Sequence, residues 1–332
     1  MNVSYNHESI RLTGRWDTRD PQAAVATATG SYIEFAFEGD MALFRFDVTA
    51  NAMPYLHLWI QLDGGDMFEA PIDAYIRVCA KTYGKHLCRV IYKGGSEKDR
   101  RWYAPLTGKV SFVGAQAEKP LPIGEDNRPI IEFVGDSITE GVLIDVDFQA
   151  DESDPLDTYV GEKMRCYQDD VCATYAWNLA EALNLRPWFM GYGAVGVTRV
   201  GCGLVPAAPE AYPFNFDGSP ITHSGKPRYI MINHGANDRK NGDLYTARYT
   251  ELLDVIRRHN PDATLIVVSP FCGSFQADLA EMVESYRAKS GCDIHFINAG
   301  NWIPAEPLHP LRDGHKIVAE HLVAELAKII KA

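Results

Sequence analysis

Positive charge is scarce in this chain and nowhere concentrated. Its 332 residues carry 32 Lys and Arg against 44 Asp and Glu, for a formal net charge of -12 and a pI of about 5.3. Lysines and arginines occur only in short clusters, so nucleic acid is excluded as a partner. An acidic surface serves solubility and fits neutral substrates better than acidic ones. Long apolar runs are missing too. None reaches the ~20 residues that cross a bilayer, and no amphipathic membrane-binding stretch is visible, so no membrane partner is expected. The opening residues, Met1-Asn-Val-Ser-Tyr-Asn-His-Glu8, show no basic segment followed by an apolar core. The expectation is therefore a cytoplasmic protein without a secretory signal.

The 7 cysteines are odd in number and lack paired spacing. Cys79, Cys202 and Cys272 lie in or beside apolar segments, which reads as reduced, buried thiols. Metal-binding patterns are missing as well. There is no His-x-x-x-His and no His-Glu pair of zinc-hydrolase type, and His315 and His321 fall on different faces of one helix. No metal and no other cofactor is expected.

What is present has two grammars. With 46% hydrophobic and 23% charged residues, the chain is long enough for two domains. Residues 1–119 read as short alternating strands: Tyr32–Glu38, Leu43–Val48, Leu56–Leu62, His86–Tyr92 and Val110–Val113. Asp63-Gly64-Gly65 is a hairpin signal. Such a series without helical period predicts an all-β sandwich or jelly roll. Residues 120–129, Pro-Leu-Pro-Ile-Gly-Glu-Asp-Asn-Arg-Pro, form a linker.

From 130 to 332 apolar strands alternate with helices. The strands are Ile130–Val134, Pro187–Tyr192, Tyr229–Asn233, Thr264–Val268 and Asp293–Asn298; the helices are Val171–Leu183, Leu244–Arg258, Asp278–Lys289 and Gly314–Ile330. This order predicts an α/β domain, a parallel sheet covered on both faces. Asp145–Asp170 is an acidic insertion that reads as a solvated loop, or as a rim to a pocket or a subunit contact. The sequence leaves a homo-oligomer open.

The first strand, Ile130-Ile-Glu-Phe-Val134, runs into Gly135-Asp-Ser-Ile-Thr-Glu-Gly141. A glycine there lets the chain turn sharply and leaves Ser137 at the carboxyl end of a strand, the edge where open α/β sheets bind ligands. This stretch resembles the first block of the GDSL, or SGNH, hydrolases, in which that serine is the nucleophile. The resemblance implies a flavodoxin-like three-layer fold for residues 130–332 and continues in order along the chain. Gly191-Tyr-Gly-Ala-Val-Gly196 resembles the second block, whose last glycine donates a backbone N–H to the oxyanion. Gly235-Ala-Asn-Asp238 resembles the third, which makes Asn237 a side-chain donor. The Ser137 amide would be a third donor.

Glu306-Pro-Leu-His309-Pro310 resembles the last block and places the base at His309, with Glu306 where the family usually has aspartate. Glu306 completes a triad, or a backbone carbonyl orients the ring and leaves a Ser-His dyad. Asp313 is a second candidate acid on the wrong side of His309, and His315 reads as structural.

A jelly-roll half before such a domain is similar to the carbohydrate esterases of family two. The resemblance implies a serine esterase releasing acetyl groups from sugars, with an acetylated sugar or short, imported oligosaccharide as partner. Asp136 and Trp302 are candidate substrate contacts, although Trp302 reads equally as core. Two alternatives stay open: a general small-acyl or lipase-like esterase, and a non-catalytic carbohydrate-binding protein on a hydrolase scaffold. The Gly-x-Gly-x-x-Gly of residues 191–196 also invites a dinucleotide reading, but Val200-Gly-Cys-Gly-Leu-Val-Pro206 opens a helix poorly and no acidic residue closes a second strand.

Overall fold

A computed structural model describes residues 1–96, 99–145, 166–222 and 225–330. Strands β1 (Asn2–Ser4), β2 (Ile10–Thr13), β3 (Ala24–Ala26), β4 (Tyr32–Phe46), β5 (His57–Leu62), β6 (Met67–Pro71), β7 (Tyr75–Gly94) and β8 (Val110–Pro120) form one antiparallel sheet. Its order is β1-β8-β4-β7-β5-β6, with β2 on β4 and β3 on β8. The two expected strands Tyr32–Glu38 and Leu43–Val48 are one, joined through a register shift between Gly39 and Met41. A bulge there bends the strand without ending it. Among the described residues the β-rich half is thus a single continuous hydrogen-bonded sheet. Alternate residues point to one buried cluster, in which Phe35 stacks on Phe37 at 5.5 Å and Phe44 and Phe112 pack alongside.

The second half is a parallel sheet. β9 (Ile130–Gly135), β10 (Arg186–Gly191), β13 (Tyr229–Asn233), β14 (Thr264–Val268) and β15 (Ile294–Ile297) take the order β10-β9-β13-β14-β15; β11 (Phe214–Phe216) and β12 (Ser219–Pro220) form a separate ribbon. The helices are α1 (Ser137–Glu140), α2 (Tyr175–Ala182), α3 (Ala208–Ala211), α4 (Gly242–His259), α5 (Gln276–Ser290) and α6 (Arg312–Leu326). The central parallel strands β9, β13 and β14 are almost wholly apolar because both faces are covered, with Glu132 of β9 a buried exception. Phe133, Met231 and Ile266 meet α2 and α6, while Val134, Ile232 and Val267 meet α4 and α5. The expected helix over 171–183 is split: Val171–Ala173 is a 3-10 turn, and Thr174 then caps α2 through the Trp177 N–H. No helix among the described residues is long and apolar enough to cross a membrane.

The halves meet at the β10 edge and behind β9. Gly30, at φ 77°, lies so close to Phe189 that a Cβ would sit 2.2 Å from its ring. Behind β9, Arg15 reaches the buried Glu132 carboxylate at 2.8 Å. Glu132 also accepts from the Tyr212 hydroxyl at 2.7 Å.

Candidate active site

β9 ends where no side chain fits: a Cβ on Gly135 would lie 2.1 Å from Thr139 Oγ1. Asp136 then caps α1, its Oδ1 accepting from the Ile138 N–H at 3.0 Å, and Ser137 occupies the first helical position. An N–H at that position has no partner within its helix. Gly141, at φ 90°, closes the short helix by donating to the Ser137 carbonyl. The Ser137 side chain is thereby held at the carboxyl edge of the sheet by backbone on both sides.

His309 arrives from the loop between β15 and α6. Its Nε2 lies 2.8 Å from Ser137 Oγ, across 172 residues of chain. Burial holds the ring below the usual histidine range, so it is neutral near neutrality and able to accept a proton. His315 braces the same loop. Its Nδ1 accepts from the Tyr175 N–H at 3.0 Å, the ring bonds the Pro310 backbone, and it lies flat on Tyr175. Tyr175 in turn shares a 2.8 Å hydrogen bond with Thr139 of α1. The loop carrying His309 and the helix carrying Ser137 are therefore joined through two buried side chains.

Glu306 does not complete this arrangement. It is exposed, and among the described residues its carboxylate makes no hydrogen bond or ion pair. Asp313 is exposed in the first turn of α6 and is equally unbonded to His309. The loop turns the carboxylate at 306 out to solvent although it stands only three residues from the histidine.

The oxyanion candidates lie at the neighbouring strand ends. Asn237 donates from its amide to Asp136 Oδ2 at 3.2 Å and to the Val195 carbonyl at 3.1 Å. Both bonds are at the long end of the normal range. The Gly196 N–H donates to the Arg199 carbonyl at 3.2 Å. Gly196 has to be glycine: a Cβ would lie 2.4 Å from Asp238 Oδ1. The buried Asp238 carboxylate accepts from the N–H groups of Val197 and Thr198 and from the Thr198 hydroxyl, which ties the loop after β10 to the loop after β13.

The two candidate substrate contacts are Asp136 and Trp302. Asp136 is buried, with its oxygens occupied by Ile138 and Asn237, and burial pushes its carboxyl up to about 7. Trp302 is half-buried, stacks on His321 at 4.9 Å and packs against the core under α6. The acidic insertion falls largely outside the described residues. At its ends, Asp145 and Asp170 pair with Arg312, and Asp169 accepts from the Leu143 N–H.

Two arginines that sequence reasoning passed over belong to the site's support. Arg101, in the loop between β7 and β8, is fully buried and ion-paired with Glu140, three residues after the serine. Its guanidinium also lies 5.3 Å over the Tyr192 ring. Arg15 serves Glu132 in the same way. The signal was present: a glutamate inside an apolar strand, and another in the turn behind it, must find partners once buried.

No protein-family model and no curated protein sequence matches this chain. Solved structures do. A family two carbohydrate esterase from Clostridium thermocellum, in complex with cellohexaose, is similar over 96% of this chain and 98% of its own, with TM-score 0.78 and 21% identity. This chain has the fold of the family two carbohydrate esterases. The acetyl xylan esterase Est2A from Butyrivibrio proteoclasticus has a TM-score of 0.80 at 18% identity, covering 99% and 98%. Those proteins are carboxylic ester hydrolases. The fold also carries acyl transfer. A salicylyl-acyltransferase from a tetracycline biosynthetic pathway has a TM-score of 0.65 at 15% identity, covering 99% and 98%.

Proposed function

We propose that this chain is a serine esterase that removes O-acetyl groups from carbohydrates through an acyl-enzyme. The observation that carries the reading is the 2.8 Å contact between Ser137 Oγ and His309 Nε2 at the carboxyl edge of the parallel sheet. A serine hydroxyl is a weak nucleophile until a base within hydrogen-bond reach takes its proton. His309, neutral through burial, accepts it as Ser137 attacks the ester carbonyl, then returns it to the departing sugar oxygen. Water repeats the cycle on the acyl-enzyme and releases acetate.

The oxyanion forms beside the Ser137 N–H and the Asn237 amide, whose long bonds to Asp136 and Val195 give way to a charged acceptor. Gly196 joins them once its N–H leaves the Arg199 carbonyl. The strand order β10-β9-β13-β14-β15, which is 2-1-3-4-5 among the parallel strands, supports a flavodoxin-like SGNH core. The β-rich half before it, residues 1–119, is the jelly-roll domain of this reading, and 120–129 its linker.

The base acts as one half of a Ser-His dyad, with Glu306 turned to solvent. Ser137→Ala is expected to abolish acetate release from acetylated xylo- and manno-oligosaccharides while the circular dichroism spectrum is unchanged. Absence of turnover on every acetyl ester by the wild-type protein would sink the reading. Glu306→Gln is expected to change kcat by less than about threefold. An orienting carboxylate would cost on the order of 10⁴, so a loss of that size would restore the triad.

A further inference from the structure

Beside Asn237 lies a cavity of about 640 Å³ lined by Arg199, Ala236, Asn237, Arg239, Lys240 and Asn241. Asn237 belongs to this cavity and to the candidate oxyanion site at once, so whatever fills the cavity lies next to the reacting ester. Three of the six lining residues are cationic. Among the described residues none of the three pairs with a carboxylate; their one side-chain bond runs from Arg239 Nε to the Ala236 carbonyl at 3.1 Å. Asp243, on the first turn of α4, pairs with none of them. Asp238 beneath is spent on the loop after β10.

Several other cations do pair: Arg11 and Arg89 share Glu34, Arg128 holds Asp126, Arg248 holds Glu210, and Arg312 holds Asp145 and Asp170. Converging like charges repel, and the cluster persists because the backbone is held from below. Asp238 binds Val197 and Thr198, immediately before Arg199, and is itself followed by Arg239 and Lys240. One buried carboxylate thus brings three cations together at the rim.

We infer that this cavity binds an anionic group on the acylated sugar, a phosphate monoester or a carboxylate, so that the preferred substrate is an acetylated sugar phosphate or uronate and not a neutral oligosaccharide. The inference rests on the esterase reading for its chemistry and on the cavity for its specificity. Guanidinium groups suit both anions through paired N–H donors, and the lysine adds a point charge. It also reverses the expectation drawn from net charge, because a local field, not the overall sum, meets the substrate.

The test compares acetylated methyl glucoside with its 6-phosphate and its glucuronate counterpart on the wild-type protein, at low salt and at high salt. At least one anionic substrate is expected to exceed the neutral one in kcat/KM by roughly tenfold or more at low salt, with the advantage collapsing as salt screens the charges. The preferred anion distinguishes phosphate from carboxylate. In the variant R199Q/R239Q/K240Q the ratio of anionic to neutral kcat/KM is expected to fall towards one. Equal kcat/KM for all three substrates at low salt overturns the inference and leaves the esterase reading intact. If no acetyl ester is turned over, the esterase reading fails and calorimetry with glucose 6-phosphate and glucuronate decides the cavity. Salt-sensitive binding supports an anion site, and no binding overturns it.

Discussion

A histidine that starts neutral is useful to a serine only while it stays neutral, and burial secures this for His309 by holding its pKa below the ordinary 6.5. The sign is unambiguous. A depressed pKa means that the midpoint of protonation lies below pH 6.5, so the base is mostly neutral at neutrality and kcat/KM falls on the acid side with an apparent pKa under that value. The same depression makes the folded state lose stability as pH drops, since the unfolded chain takes up the proton first. A pH–rate profile on an acetyl ester checks this. Asp136, pushed up to about 7, titrates beside it, and Asp136→Asn separates the two ionisations. An acid limb centred above 6.5 in that variant would contradict a buried, unassisted base. Residue types and order were legible at this scale: Ser137, Gly196 and Asn237 follow β9, β10 and β13, and His309 lies in the loop before α6. The direction of Glu306 was not, because three residues of loop can turn a carboxylate towards the ring or out to water.

Elements act on the site through the brace from α6 to α2 to α1. His315 fixes the Pro310 backbone and the Tyr175 N–H, and the Tyr175 hydroxyl meets Thr139. Removing that hydroxyl leaves a buried Thr139 oxygen without its partner, which costs about 1–3 kcal/mol. Tyr175→Phe is therefore expected to lower stability by that amount in urea unfolding and to reduce kcat more than it raises KM, because α1 loses its stop. A KM effect alone would show that Tyr175 supports only the core. The longer helices and the parallel strands were legible here through their apolar runs. The antiparallel strands were legible only in pieces. Alternation breaks at Gly39-Asp40 while the strand continues through a bulge, so periodicity reports two elements where backbone pairing makes one.

At the scale of the whole molecule, the β-rich half is a structural partner of the nucleophile turn. Arg101 reaches from that half to Glu140, and Arg15 to Glu132, all four side chains being buried. Taking one member of such a pair away strands a charge and costs roughly 3–5 kcal/mol, whereas replacing both with neutral groups is far milder. Arg101→Met is expected to be strongly destabilising in thermal and urea unfolding, and Arg101→Met with Glu140→Gln to recover most of the loss. Equal losses in the single and double variants would mean that the pair contributes through packing and not through charge.

Sequence by itself determined the two grammars, the strand ends and the four ordered blocks, because alternation, apolar runs and turn glycines act over a few residues. Tertiary structure decided which partners those residues meet. A buried glutamate announces that it needs a cation, but Arg101 and Glu140 are 39 residues apart and Arg15 and Glu132 are 117 apart. Nothing local says which arginine will come. The cation cluster beside Asn237 arises in the same way. Arg199 and Arg239 belong to loops after different strands, and one buried aspartate at 238 brings them to the same cavity.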